Sequence, residues 1–211
     1  MKPDWDYTLY LVTDRGHMAV ARLEDCVEQA IAGGCTMVQL REKKVCAKDF
    51  YQIALRVRES TARYGIPLII NDRADIALAV RADGLHIGQD DLPYEAARRI
   101  VGEDMVIGVS AHNLREAQEA AAMGADYLGV GALFTTDTKA NVVPTTIEEL
   151  RRIRCALSIP IVAIGGIRPD NLPLLKDVGL DGIAVSSAII SAQNPAQAAR
   201  ELKSIFQGEK R

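Results

Sequence analysis

The chain has 211 residues, 48% of them hydrophobic and 25% charged, a balance that supports a sizeable core in a soluble globular protein. Its formal net charge of -3 excludes the basic footprint of a nucleic-acid binder, and with only 5% aromatic residues it offers no stacking platform for bases. No segment approaches the roughly 18 consecutive apolar residues of a membrane span, and the N-terminal MKPDWDYTLYLVTD holds too short an apolar run for a signal-peptide core.

Strand-length apolar runs alternate with helix-period segments from one end to the other. In chain order the expected strands are Leu9–Thr13, Met37–Arg41, Pro67–Asn71, Gly84–Ile87, Met105–Val109, Tyr127–Val130, Pro160–Ile164 and Gly182–Val185. Near-continuous apolar content in short runs is expected of parallel strands buried on both faces. The amphipathic stretches between them include Lys48–Arg63, Leu114–Met123, Ile147–Leu157 and Ala196–Ile205. Their starts are signalled by Asn113, by Thr145 with Glu148 three residues on, and by Asn194-Pro195. A weak repeat underlies the alternation: AGGCTMVQL, VRADGLHIG, AMGADYLGVG and DVGLDGIAVS each run from a helix end through a small and a polar residue into a strand. Gly34, Gly124 and Gly179 fit left-handed helix C-caps. Eight strand–helix units without a Pro/Ser-rich linker or charge block predict one domain over residues 1–211, an α/β fold in the form of a compact (β/α)8 TIM barrel with short loops. The four cysteines, Cys26, Cys35, Cys46 and Cys155, show no C-x-x-C spacing, so small buried hydrophobes in a reduced cytoplasmic protein are expected, with no structural metal cluster.

Active sites of such barrels form at the C-terminal ends of the strands. Strand 2 ends in Gln39-Leu40-Arg41-Glu42-Lys43-Lys44, an amide followed by clustered cations. Strand 3 ends in Asn71-Asp72 and strand 4 in Gly88-Gln89-Asp90-Asp91. Adjacent strands run about 5 Å apart, so the two acidic sites would be neighbours, and close carboxylates repel unless a cation or proton lies between them. Such oxygen ligands suit Mg2+, which takes one or two carboxylates plus substrate phosphates. Strand 5 ends in Ser110-Ala111-His112, and strand 6 runs into Thr136, Asp137, Thr138 and Lys139, a hydroxyl-rich loop with one cation. Gly165-Gly166 after strand 7 lets backbone N–H groups approach an anion, and Ser186-Ser187 after strand 8 opens a short helix that would aim its amides at a phosphate. Singly, these motifs are a solvated basic face, turn glycines and a helix start. His86 is expected to pack inside the barrel, His17 to lie on a loop surface, and His112 to stand behind the site. Together, at one end of their strands, the charged, Gly and Ser motifs suggest two anionic groups, one held by metal and basic residues, the other by Gly-Gly and Ser-Ser.

At these residues the chain resembles the thiamine phosphate synthase family, through LYLVTDR, QLREK, IIND, GQDDLP, GVSAH, a T-x-T-K loop, AIGGI and the VSSAI segment. The resemblance runs from Leu9 to about Phe206 and implies the same barrel. The family joins a pyrimidine methyl diphosphate to a thiazole phosphate, releasing pyrophosphate and giving thiamine monophosphate. It implies that the QLREK segment (Gln39, Leu40, Arg41, Glu42, Lys43), with Asn71, Ser110 and Lys139, contacts the pyrimidine diphosphate. Of these, Arg41, Lys43, Ser110 and Lys139 would be catalytic. By the same resemblance Asp72 and Asp91 hold Mg2+, while Thr136, Asp137, Thr138, Gly166, Ser186 and Ser187 meet the thiazole phosphate.

Two departures stand out. The family's G-P-x-F-P-T loop is here Gly131-Ala132-Leu133-Phe134-Thr135-Thr136, and loss of both prolines predicts a less rigid loop. The ANVVPTTIEEL segment also lacks the glycine that the family often places before helix 6. Three other readings are a thiazole tautomerase, a non-catalytic sensor of thiamine precursors, and a generic sugar-phosphate barrel enzyme. Arg41, Lys43, Asp72 and Asp91 together argue against the first two, and the third explains the Gly-Gly and Ser-Ser sites but not the metal pair. The expected partners are small-molecule substrates, with no nucleic acid and no membrane; a homo-oligomer is compatible with the sequence.

Overall fold

The computed structural model describes residues 4–135 and 144–208. Eight parallel strands close into a barrel in sequence order, with β1 hydrogen-bonded to both β2 and β8. The strands are β1 Leu9–Val12, β2 Met37–Leu40, β3 Leu68–Asn71, β4 Gly84–Ile87, β5 Val106–Ala111, β6 Tyr127–Val130, β7 Ile161–Ile164 and β8 Gly182–Val185. The helices are α1 Leu23–Ala32, α2 Ala47–Arg63, α3 Ala74–Ala79, α4 Tyr94–Val101, α5 Leu114–Met123, α6 Ile147–Ala156, α7 Ser187–Ile190 and α8 Pro195–Gln207. No helix among the described residues is long and apolar enough to cross a membrane.

Side-chain alternation along each strand divides the apolar residues in two. Leu9, Leu11, Val38, Leu40, Leu68 and Ile70 face the helices in one buried layer. Tyr10, Val12, Met37, Ile69, Val106, Tyr127, Val162 and Ala184 fill the barrel interior. Because both faces are covered, each strand is apolar throughout. The Tyr127 ring fits only because residue 108 is glycine: a Cβ there would lie 2.1 Å from the ring Cζ.

The polar residue of the sequence repeat has a structural reason. Thr36, Asp83, Asp126 and Asp181 stand just before the even-numbered strands, and each accepts a backbone N–H from the preceding strand. Leu9 N lies 3.1 Å from Thr36 Oγ1, Leu68 N 2.8 Å from Asp83, Ile107 N 2.7 Å from Asp126 and Ile161 N 2.8 Å from Asp181. In the three acidic repeats an arginine from the even-numbered helix grips the same carboxylate: Arg58 at 3.0 Å, Arg98 at 3.2 Å and Arg154 at 2.9 Å. The barrel is thus four strand pairs, each latched at its N-terminal end. Arg98 is the most enclosed of the three, its side chain 10% exposed and also donating to the carbonyls of Gly102 and Met105. Removing one partner of an enclosed pair leaves a charge uncompensated, so Asp126→Ala is expected to lower stability by about 3 to 5 kcal/mol. Urea denaturation measures it, and a loss under about 1 kcal/mol would reduce the latch to a surface contact.

Several local expectations shift. Strand β5 continues to Ala111, so Ser110 lies on the strand, whereas Thr13 and Arg41 fall just past β1 and β2. Helix α6 is capped by Thr146, whose hydroxyl accepts from Glu149 N; Thr145 is buried and donates to the His112 carbonyl. Gly124 and Gly179 are left-handed caps as expected, but α1 is capped by a right-handed Gly33, with Gly34 one step beyond at φ 105°. The seventh unit carries a kinked 3-10 segment, Leu172–Val178, in place of an α-helix, with Asp177 outside helical φ/ψ. Cys26 and Cys35 are buried, but Cys46 and Cys155 are exposed.

Candidate active site

The C-terminal ends of the strands surround a cavity of about 970 Å3, part of it open to solvent at the mouth. Gln39, Arg41, Lys43, Asn71, Asp72, Asp91, Ser110, Gly166, Ser186 and Ser187 all line it. Leu40 and Glu42 do not, which corrects the expectation for those side chains. Leu40 is fully buried on the helix-facing side of β2, and the Glu42 carboxylate is held by Arg15 at 2.5 and 3.0 Å. The period-two alternation of a strand explains Leu40: with Gln39 inward, its neighbour must face out. Thr136, Asp137, Thr138 and Lys139 lie outside the described residues.

At one side of the mouth stands the acidic pair. Asp72 follows β3 at φ 63°, a left-handed conformation uncommon for a residue other than glycine, and its N–H donates to the His86 carbonyl at 2.8 Å. Asp91 is fixed by the Gly88 N–H, which donates to its Oδ2 at 2.7 Å. Lys43 Nζ pairs with Asp72 Oδ2, and the Arg41 guanidinium reaches to 4.0 Å from Asp14. Burial and the neighbouring Asp91 push the Asp72 carboxyl up to about 6, against the opposing pull of Lys43. Among the described residues no group of three or more His, Cys, Asp or Glu gathers as a metal cage. Two carboxylates at an open mouth are nevertheless the set that Mg2+ uses when substrate phosphates and water complete its shell, so these residues fit the ion.

The raised carboxyl has a measurable consequence in metal-free protein. The folded chain holds the Asp72 proton more tightly than the unfolded chain does, so this group's contribution to stability is lost as pH rises from about 4 through about 6. Asp91→Asn is expected to lower the Asp72 titration midpoint, and Lys43→Ala to raise it. Carboxyl 13C NMR reads both; a midpoint unmoved by Asp91→Asn would mean that the two carboxyls do not interact.

Below the mouth, polar side chains cross the barrel interior. Gln39 Nε2 donates to the Tyr10 hydroxyl at 2.9 Å, and the Tyr10 and Tyr127 hydroxyls lie 2.9 Å apart. His86 Nδ1 is 3.0 Å from the Tyr127 hydroxyl, and its Nε2 is 2.9 Å from Ser110 Oγ. His86 therefore packs inside the barrel as expected, but it also lines the cavity. Tyr10 and Tyr127 give no sequence signal beyond an aromatic in an apolar strand. His112, expected to stand behind the site, lines the cavity too; its ring Nδ1 and backbone N both lie 2.8 Å from Glu116 Oε2, which fixes the imidazole.

At the other side of the mouth lies an anion-ready corner. Gly165 and Gly166 have φ 102° and 63°, and a Cβ on Gly166 would come within 2.5 Å of the Thr135 carbonyl oxygen. Only glycine admits this close approach. The Leu133 and Phe134 N–H groups donate to the carbonyls of Ile164 and Gly165 at 3.1 Å, so the loop after β6, despite its missing prolines, is tied to the end of β7 as far as Phe134. Ser186 Oγ is buried with no hydrogen-bond partner among the described residues. An unpaired buried hydroxyl costs stability unless a ligand completes it.

The family model for thiamine monophosphate synthase matches residues 9–189. The thiamine-phosphate synthase of Clostridium beijerinckii is 53% identical over 206 residues, covering 98% of this chain and 99% of that one. Its counterpart from Ruminiclostridium cellulolyticum is 55% identical over 206 residues, covering 98% of each. Among solved structures, the thiamine phosphate pyrophosphorylase of Pyrococcus furiosus superposes with a TM-score of 0.88 at 39% identity, covering 96% of each chain. The barrel, the residues at its mouth and the matched span agree: this chain belongs to the thiamine monophosphate synthase family.

Proposed function

We propose that this chain is a thiamine-phosphate synthase, a transferase of thiamine biosynthesis that joins a pyrimidine methyl diphosphate to a thiazole phosphate, releasing pyrophosphate. The observation that carries the reading is the division of one mouth into a charged side and a neutral side of glycine backbone and serine hydroxyls. Asp72, Asp91, Lys43 and Arg41 stand on one, Gly165-Gly166 and Ser186-Ser187 on the other. A diphosphate placed on the first side and a monophosphate on the second would bring the pyrimidine methylene and the thiazole nitrogen together over the barrel centre. Asp72 and Asp91 would hold Mg2+, which would supply charge neutralisation for the departing diphosphate. Lys43 and Arg41 add donors aimed where negative charge grows as the carbon–oxygen bond breaks. The aminopyrimidine stabilises the methylene cation, and the thiazole nitrogen attacks it. Such a dissociative route needs no side-chain nucleophile.

The direct test incubates the purified chain with both substrates and Mg2+ and looks for thiamine monophosphate and pyrophosphate in equal amounts. Absence of either product would end the proposal. The two-sided map has its own test. Ser187, at the first turn of α7, is far from the acidic pair in the chain and on the opposite side of the mouth. Ser187→Leu is expected to weaken thiazole phosphate binding about tenfold or more, about 1.4 kcal/mol, and to leave pyrimidine diphosphate binding within about twofold. Calorimetry with each ligand separates the two, and equal losses would mean the map is wrong.

A further inference from the structure

The hydrogen-bond chain under the cavity has a direction, and its middle residue touches nothing in the cavity. Gln39, Tyr10, Tyr127 and His86 are 4%, 1%, 0% and 7% exposed, so their hydrogens must be placed among their neighbours. The amide nitrogen of Gln39 can only donate, so the Tyr10 oxygen accepts from it. The single Tyr10 hydrogen then has the Tyr127 oxygen within reach at 2.9 Å, and the single Tyr127 hydrogen has His86 Nδ1 at 3.0 Å. A neutral imidazole that accepts at Nδ1 carries its hydrogen on Nε2, which faces Ser110 Oγ at 2.9 Å. Ser110 Oγ accepts that bond and is left with its own hydrogen to offer to the cavity.

From this we infer that Tyr127 is a positioning residue: it fixes His86 in the Nε2-protonated tautomer and thereby presents the Ser110 hydroxyl to the cavity as a hydrogen-bond donor, suited to an acceptor such as a ring nitrogen of the bound pyrimidine. The substrate half of the inference rests on the proposed function; the tautomer half does not. Burial pushes both phenols well above their ordinary range, so they keep the hydrogens that the relay needs. Glycines make room for it: residue 108 has no Cβ to collide with the Tyr127 ring, and a Cβ at 129 would come within 3.0 Å of His86 Cε1. The opposite polarity, with the Gln39 oxygen turned to Tyr10, would run the length of the chain in reverse. His86 would then be protonated on Nδ1, and Ser110 would face the cavity as an acceptor.

The chain has three histidines, so 15N-histidine NMR of the whole protein resolves each ring, with the His86 signal assigned by its loss in His86→Gln. The expected parent spectrum shows His86 neutral and protonated on Nε2. In Tyr127→Phe, which keeps the ring and removes one oxygen, His86 is expected to become a mixture of tautomers. The KM for the pyrimidine diphosphate is expected to rise about tenfold, the scale of one lost hydrogen bond, with the KM for the thiazole phosphate within about twofold. An Nδ1-protonated parent, or a tautomer unchanged in Tyr127→Phe, would overturn the inference. Should Tyr127→Phe fail to fold, Tyr10→Phe cuts the relay one link earlier and is expected to mix the tautomers in the same way; an unchanged spectrum there also overturns it. Because the spectrum needs no substrate, a chain that proved inactive as a synthase would still reveal which ring nitrogen of His86 carries the hydrogen.

Discussion

Stripping divalent cations from the protein with excess chelator is expected to abolish turnover, and added Mg2+ to restore it. Asp72 and Asp91 line one cavity, and their proximity together with burial already pushes Asp72 up to about 6. Near neutral pH the site therefore concentrates negative charge that only a cation can balance, and Lys43 supplies one positive charge toward it. A diphosphate entering this side adds more negative charge next to the same carboxylates. Without a metal, those carboxylates repel the leaving group that they would otherwise help to hold. Stabilisation of a phosphoryl oxygen by a bound cation contributes several kcal/mol, so the loss is on the order of 1000-fold in rate. Asp91→Asn is expected to weaken Mg2+ binding measured by calorimetry in the presence of the pyrimidine diphosphate, a readout independent of turnover. Undiminished turnover in chelator, with metal content verified as zero, would remove the metal from the reaction.

The fold was legible because parallel strands buried on both faces leave an apolar run that little else produces, and eight such runs alternated with helix-period segments. The mouth was legible because closing the barrel forces every strand to end on the same side, which converts motifs scattered over the chain into neighbours. Gln39, Arg41, Lys43, Asn71, Asp72, Asp91, Ser110, Gly166, Ser186 and Ser187 line one cavity for that reason. Side-chain direction was less legible. Leu40 and Glu42 sit among these motifs, but alternation turns Leu40 to the helices and Arg15 captures Glu42. The relay of Tyr10, Tyr127 and His86 left no pattern, since one polar tip on an aromatic ring inside an apolar strand looks like core. Its partners come from four strands and meet only after closure. The polar residue of the repeat was visible, while the N–H that it accepts belongs to a different strand and was not. The Lys43–Asp72 pair spans 29 positions and depends on the left-handed turn at Asp72, a conformation that Asp adopts more readily than most residues but that the sequence does not mark at this position.

Replacing Lys43 by alanine is expected to lower kcat by roughly 100-fold to 1000-fold, about 3 to 4 kcal/mol, by analogy with loss of one preorganised donor to a developing oxyanion. Lys43 reaches the cavity from the segment after β2 and pairs with Asp72, so its ammonium is held beside the acidic pair. If it stabilises charge that appears only as the diphosphate departs, the effect falls on kcat and on kcat/KM alike, whereas loss of uniform ground-state binding raises KM alone. The pair with Asp72 opens a second route to the same loss. Removing Lys43 withdraws the cation that pulls the Asp72 carboxyl down, leaving more of it protonated and less able to hold Mg2+. The two routes respond oppositely to pH. Loss through Asp72 protonation is recovered as pH rises well above the carboxyl's range, while loss of a donor to the leaving group is not. Lys43→Arg is expected to recover only part of the rate, because a planar fork does not replace a compact ammonium. Single-turnover kinetics of Lys43→Ala at saturating substrates and two pH values exclude product release and separate the routes. A rate within about threefold of the parent, on the order of 0.6 kcal/mol, at both pH values would return Lys43 to the solvated surface and leave Arg41 and the metal to stabilise the departing diphosphate.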